Sequence, residues 1–347
     1  MVTLTAPLYQ THELAFRTQY AELKERSRSA MQLLPGTPGT LVKRTGTGRA
    51  YWYRVYQTAG ETQAETLVCK EADDDALADA RAELDLAKWT SAQVRNLRKL
   101  DFQVADKGVS GVLVDLYNKG LLTAGLNVVG TLCFMAWLNE LGARAVAART
   151  QDIDLAARQR LRLAAPLSFL EAVQGTRLGF VPVPGMPHSV APSSVKRKGR
   201  DGLRVDVLAH GPTLGPTVPL PDPMWRSQTV PYFNYLLTRP RHAAILAGGH
   251  CIPMWLPEPV RFVWHKFYSS ASRRSFPELA DKDLLQSATL AAVLVEQYNE
   301  PSADALTDVP VAMKVAMKVA LVKQLPALRR LLHGHPQTRQ AFELARA

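Results

Sequence analysis

Residues 127–155 read NVVGTLCFMAWLNELGARAVAARTQDIDL. The opening LNVVG (126–130) has the β-branched apolar content of a short strand. Gly130-Thr131 makes a turn, and the apolar run after it reads as a helix. The stretch closes on a second strand carrying Asp152 and Asp154. Residues two apart on a strand share a face, so these carboxylates project together while Ile153 turns into the core. Farther along, LRVDVL (203–208) places Asp206 between Val205 and Val207 on another strand.

Neighbouring carboxylates disfavour each other's ionisation unless a cation or proton intervenes. Mg²⁺ takes hard oxygen ligands and needs only one or two carboxylates besides phosphate and water oxygens. Asp152, Asp154 and Asp206 are therefore candidates to hold two ions, Mg²⁺ or Mn²⁺, about 4 Å apart beside a nucleoside triphosphate. The D-x-D spacing alone is weak. Asp73/Asp75 and Asp281/Asp283 read as helix starts, and Glu83/Asp85 lie inside a helix, where a spacing of two turns side chains about 200° apart. What sets 152/154 apart is its strand context, the upstream Gly-Thr turn and the later single Asp. Gly130 lets backbone approach a ligand, and the helix N-terminus after it offers N–H groups to phosphate, with the Thr131 hydroxyl beside them. The plainer reading makes Thr131 only an N-cap.

The chain of 347 residues is long enough for two or three modules, and its 47% hydrophobic and 21% charged content is that of a globular protein. No basic segment followed by an apolar core opens it, and its apolar runs are too short to span a bilayer. Three cysteines without CxxC spacing argue against a disulfide framework or zinc site and suit a reducing cytoplasm. His188, His210, His250 and His265 show no metal-ligand spacing. Of the 42 Lys and Arg and 31 Asp and Glu, residues 1–120 hold 16 and 15, so the rest carries 26 against 16 and nearly all of the +11 charge. The basic part is the part that holds the three aspartates, which suits a polyanionic ligand such as a nucleotide or RNA, or simply a basic soluble surface.

Taken in order, residues 8–34 read as a helix ended by Pro-Gly steps. TLVKRT (40–45) and AYWYRVYQ (50–57) read as a hairpin whose Tyr51, Trp52, Tyr53 and Tyr56 either stack on a base or pack a small sheet. EADDD (71–75) caps a long helix to about Leu100, and a second helix lies near Gly111–Leu122. Strands follow at 177–183 and 189–195, the latter paired with 203–208 through the basic turn KRKGRDG (196–202). The Pro-rich 211–223 reads as a loop, Phe233–Leu246 as a helix and Cys251–Leu256 as a strand. From residue 261 the chain reads as helical, with segments at 261–274, from near Asp281, and over 311–323, where Lys314 and Lys318 share a face and gain from an anionic neighbour.

The order G-[ST], helix, D-h-D, then h-D-h on a later strand resembles the nucleotidyltransferase superfamily typified by DNA polymerase beta. GTLCFMAWLNELGARAVAARTQDIDL is similar to the branch with AbiEii-type toxin nucleotidyltransferases and related bacterial proteins. Flanking segments extend the likeness across most of residues 40–300: Gly48 to Tyr53 before it, then IPMWLPEPVRFVWHK (252–266) and Lys282 to Gln286 after it. The resemblance implies metal at Asp152, Asp154 and Asp206, the triphosphate at Gly130 and Thr131, Lys266 at the nucleotide phosphates, and Lys282 and Asp283 on the rim. Arg273, seven residues after Lys266 and on its helical face, is a candidate to steady leaving pyrophosphate.

The expected architecture is α+β: an N-terminal helical module with a β-hairpin (1–122), a mixed-sheet nucleotidyltransferase core (123–260) and a C-terminal helical domain (261–347). The expected reaction moves an NMP from an NTP to an acceptor hydroxyl, with Asp206 a candidate base. RNA, such as tRNA, is the favoured acceptor. A protein hydroxyl, as in a toxin, and a catalytically silent RNA- or nucleotide-binding module are the rivals. The preferred nucleotide and the oligomeric state stay open at this level.

Overall fold

A computed structural model describes residues 7–46, 48–146, 148–157, 169–184, 192–199, 202–220, 225–273, 275–298 and 311–345. The expected helix over 8–34 is split into strand β1 (Tyr9–Thr11) and helix α1 (Leu14–Arg28). Strands β2 (Thr40–Gly46) and β3 (Arg49–Gln57) form the expected hairpin, and β4 (Gln63–Lys70) adds a third antiparallel strand. Only Ala64 and Cys69 of β4 are buried, so its sequence lacks the apolar alternation that would announce it. The aromatic residues of β3 are half-buried against this sheet rather than free. Helix α2 (Asp74–Lys99) starts at Asp73, whose side chain accepts from the Ala76 N–H at 3.2 Å, the capping role read from the acidic run. Helix α3 (Lys107–Asn118) sits four residues earlier than expected, because the left-handed Gly120 ends it.

The candidate core follows. β5 (Leu126–Val128), α4 (Gly130–Glu140), β6 (Ala143–Ala145) and β7 (Asp152–Ala157) lead through α5 (Phe169–Gln174) and β8 (Phe180–Pro182) to β9 (Ser194–Arg197) and β10 (Arg204–His210). β11 (Thr217–Leu220) and β12 (Trp225–Val230) pair antiparallel, so the Pro-rich stretch is partly an edge strand, a place that tolerates Pro219. Apart from β6, which pairs antiparallel with β1, these strands form one mixed sheet in the order β11-β12-β10-β7-β5, with β9 sharing one edge of β10 and β8 beyond it. β10 runs parallel to β7 and β12, whereas β5, β9 and β11 pair antiparallel. The expected hairpin of β9 and β10 is present; residues 185–191 and 200–201 lie outside the described residues.

The helix expected over Phe233–Leu246 is instead a four-residue turn, α6 (Phe233–Leu236), followed by β13 (Arg241–Ala247), which pairs with β14 (His250–Leu256). α4 covers β13 and α1, α2 and α3 cover β14. A strand buried on both faces shows a continuous apolar run, which periodicity cannot tell from a buried helix. Gly248 and Gly249, at φ +54° and +112°, make the hairpin turn. Helices α7 (Pro259–Ser272), α8 (Pro277–Ala292, continued by a π turn over Val293–Gln297), α9 (Val311–Leu331) and α10 (Pro336–Leu344) complete the chain. α8 begins four residues before Asp281.

One hydrophobic cluster runs from Ala105 to Phe342, and a second joins α1, α2 and the β13–β14 hairpin through Tyr20, Leu23, Leu97 and Leu246. Glu140, at the end of α4, ties the two. Its carboxylate accepts from the Tyr20 hydroxyl at 2.9 Å, Lys24 Nζ at 2.5 Å and the Ala244 N–H at 3.0 Å. Cys69, Cys133 and Cys251 are free and buried. Among the described residues, no helix is long and apolar enough to cross a membrane.

Candidate active site

β7 and β10 bring Asp154 and Asp206 side by side as register partners, and Arg204 beside Asp152. Adjacent strands lie about 4.8 Å apart, so the three acids distant in sequence meet on one face of the sheet. Ile153, Val205 and Val207 are fully buried on the other, which is why this face is the one turned outward. Asp152 is exposed, and Asp154 and Asp206 are half-buried.

The loop before α4 closes onto this pair. The Val129 N–H donates to the Asp154 carbonyl at 2.9 Å, and Gly130 has φ +66°. A Cβ at residue 130 would lie 2.0 Å from Asp154 Oδ2, so both the backbone angle and the space require glycine. Thr131 turns away: it is 5% exposed, and its Oγ accepts from Gln286 Nε2 of α8 at 3.4 Å. Gly130 and the start of α4 therefore face the carboxylates, whereas the Thr131 hydroxyl packs into the interior.

Burial, and next the Asp206 carboxylate, raise the Asp154 carboxyl to about 6, against the pull of Lys266. Burial also raises Asp206, opposed by the Arg204 guanidinium and by a hydrogen bond from Ser194. Arg204 Nε lies 2.9 Å from Asp206 Oδ1, and its Nη2 donates to Ser194 Oγ at 3.1 Å. Arg204 and Ser194 carry no signal in the superfamily pattern, although R-V-D places Arg204 on the face of Asp206 by strand alternation.

A cationic wall comes from α7 and α8. Lys266 Nζ lies 2.5 Å from Asp283 Oδ1, and Arg273 Nε lies 2.9 Å from Asp283 Oδ2. Lys266 and Arg273 both act on Asp154, and Lys282 feels the charges of Lys266, Asp283, Asp152 and Asp154. Burial, then Lys266, lower the Lys282 ammonium. Asp283 is 3% exposed and its carboxylate is engaged by two cations, so it anchors them from below rather than facing a nucleotide. The sequence reading of Asp281/Asp283 as a helix start is corrected: Asp283 lies inside α8.

The structure thus brings Asp152, Asp154, Asp206, Gly130, Lys266, Arg273 and Lys282 into one neighbourhood. Among the described residues, no three His, Cys, Asp or Glu side chains converge into a ready-made metal cage. The chemistry of the donors still fits a hard cation: two half-buried carboxylates repel, and Mg²⁺ needs no more than one or two. His265, next to Lys266, is neutral in this setting. Burial lowers it to about 4, and its Nε2 lies 3.1 Å from the Pro231 carbonyl.

A sequence model described as nucleotidyltransferase matches residues 107–310, more than half of the chain, from the start of α3 to just before α9. The match supports the superfamily and does not single out the AbiEii-type branch. No curated protein and no solved structure matches the chain.

Proposed function

The chain belongs to the nucleotidyltransferase family, and from that premise we propose that it transfers an NMP from an NTP to an acceptor hydroxyl. The observation that carries the reading is the register pairing of Asp154 with Asp206 opposite Lys266, Arg273 and Lys282. Asp152, Asp154 and Asp206 would hold Mg²⁺ or Mn²⁺, which when bound offsets negative charge on the phosphates. Gly130 and the α4 N-terminus admit the triphosphate close to the sheet. Lys266 and Arg273, held by Asp283, orient the β- and γ-phosphates and favour departure of pyrophosphate. The acceptor oxygen attacks the α-phosphorus, the bond to the bridging oxygen breaks, and Asp206 takes the acceptor proton.

The +10 balance of the chain beyond residue 120 favours RNA, such as tRNA, as acceptor over a protein hydroxyl. One observation favours the rival silent module: Arg204 already neutralises Asp206. Incubation with α-labelled NTPs, Mg²⁺ and cellular RNA or lysate separates these outcomes. Label in RNA that Asp154→Asn abolishes supports the transferase with an RNA acceptor, and label in protein supports the other acceptor. RNA binding without label overturns the enzyme reading.

A further inference from the structure

A cavity of about 990 Å³ lies away from the aspartates. It lies between the β2–β4 sheet, α2 and the 29–38 segment, and Leu33, Leu34, Leu41, Val68 and Leu84 are among its lining residues. Met31 and Leu67 stand exposed at its mouth. Large side chains left in water at a cavity mouth mark an interaction surface. Along one edge run Asp79 and Glu83, one turn apart on α2, with Asp75 a turn before them. Among the described residues none of the three touches a cation, although Glu83 acts on Arg54 through space. Carboxylates at this spacing repel and gain from a cationic neighbour. The wall's arginine, Arg54, is 5% exposed, donates to the Pro35 carbonyl and stacks on Tyr56, so its charge is engaged behind the lining.

At the other end of the chain, α9 is apolar on two faces. Its inner face, with Met313, Met317, Leu321, Leu325 and Leu328, packs into the core. Its outer face presents Val315, Val319 and Val322, which are 63, 64 and 60% exposed. These positions fall at i, i+4 and i+7, one continuous stripe about 10 Å long. β-branched residues are poor choices for a solvated helix face, and three in one stripe mark an apolar patch on an otherwise lysine-bearing side of α9. Lys314 stands exposed beside the stripe.

We propose that this stripe docks in the groove of a second copy of the chain, with Lys314 against the Asp79–Glu83 edge. Charge complementarity selects this partner. Pairing α9 with α9 across a two-fold axis would bring only Lys and Arg together, because the outer face of α9 carries no acid. The groove supplies both the apolar floor and the missing negative charge. Groove and stripe are different surfaces, so the contact is head-to-tail and either closes into a ring or extends. It does not depend on the transfer reaction.

Sedimentation velocity and light scattering on the full chain test it. The expected result is reversible self-association that rises with concentration. Val319→Asp on the stripe and Leu67→Asp at the groove each weaken it at least tenfold, with unchanged circular dichroism and melting, since both side chains are exposed. Lys314→Glu and Asp79→Lys each weaken it alone, and mixing the two variants restores it, because each tail then meets a groove of opposite charge. A wild-type chain that stays monomeric at hundreds of micromolar overturns the proposal. So does loss of association in Val319→Asp but not Leu67→Asp, which would seat the helix elsewhere. A monomer whose α9 face instead binds RNA or anionic vesicles overturns it as well.

Discussion

A methyl group on residue 130 would lie 2.0 Å from the Oδ2 of Asp154. The glycine before α4 and the second acid of D-x-D are therefore one fitted unit, not two motifs that happen to lie close. In Gly130→Ala the alanine backbone must also adopt φ +66°, which costs about 1 kcal/mol before any clash. Asp154 is displaced, and displacement of about 1 Å at a reacting centre lowers the rate by about 100-fold. The variant is expected to fold, melt a few degrees lower and lose label transfer by at least that factor. Wild-type turnover would sink the fitted-unit claim.

Asp283 holds Lys266 and Arg273 from beneath. Removing one partner of a buried ion pair leaves charge without compensation and costs about 3–5 kcal/mol. Asp283→Asn is expected to lower the melting temperature and raise the KM for NTP, because the two cations lose their aim. Lys266→Met leaves Asp283 with Arg273, so its stability loss is smaller while its KM effect is as large. Equal stability losses, or an unchanged KM in both variants, would remove the phosphate role.

Asp154 gives a stability signature of its own. Its folded carboxyl titrates at about 6 instead of 3.8, so the folded state keeps the proton to higher pH than the unfolded chain. The resulting destabilisation is absent below about 3.8, grows as pH rises and is complete above about 6. Asp154→Asn, in chelator-treated buffer, is expected to be more stable than wild type by about 3 kcal/mol at pH 8, a gain that shrinks toward pH 4. The same variant is expected to transfer no label. Denaturant titrations at pH 5, 6 and 8 check the trend, and a pH-independent difference would refute it.

His265 produces the opposite slope. Held near 4 instead of 6.5, it binds its proton later in the folded state than in the unfolded chain. Its contribution is whole above about 6.5 and is lost as pH falls toward 4, by up to about 3 kcal/mol. In wild type this loss is masked by Asp154 between about 4 and 6. The Asp154→Asn background should expose it, and adding His265→Gln should flatten it again.

How legible was all this in the residues? Strand alternation was enough to put Asp152, Asp154 and Asp206 on one face, because Ile153, Val205 and Val207 left no other face to bury. Helix α2 was readable from its acidic cap, and α7 from its long run after Pro257 and Pro259. β13 was not, because cover on both sides erased the alternation that distinguishes strand from helix. β4 was hidden by its polar composition. At the site, Asp283 looked like a helix start because the D-x-D spacing drew the boundary past the Pro277-Glu278 start signal, and local sequence does not show that α7 supplies the two cations. Arg204 and its partner Asp206 were readable from alternation, whereas Ser194 was not, because β9 brings it in from ten residues away.

The carboxylate of Glu140 has a practical reach beyond stability. It ties α1 and the β13–β14 hairpin to the end of α4, while the family match begins only at residue 107. Cutting the chain at that border would strip Tyr20 and Lys24 from Glu140 and leave it only the Ala244 N–H, beside an uncovered apolar face. A fragment that begins at residue 107 should precipitate, whereas one that keeps α1 and α2 should stay in solution. The first helix, which no motif marks, is therefore the piece a dissection of this protein cannot leave out.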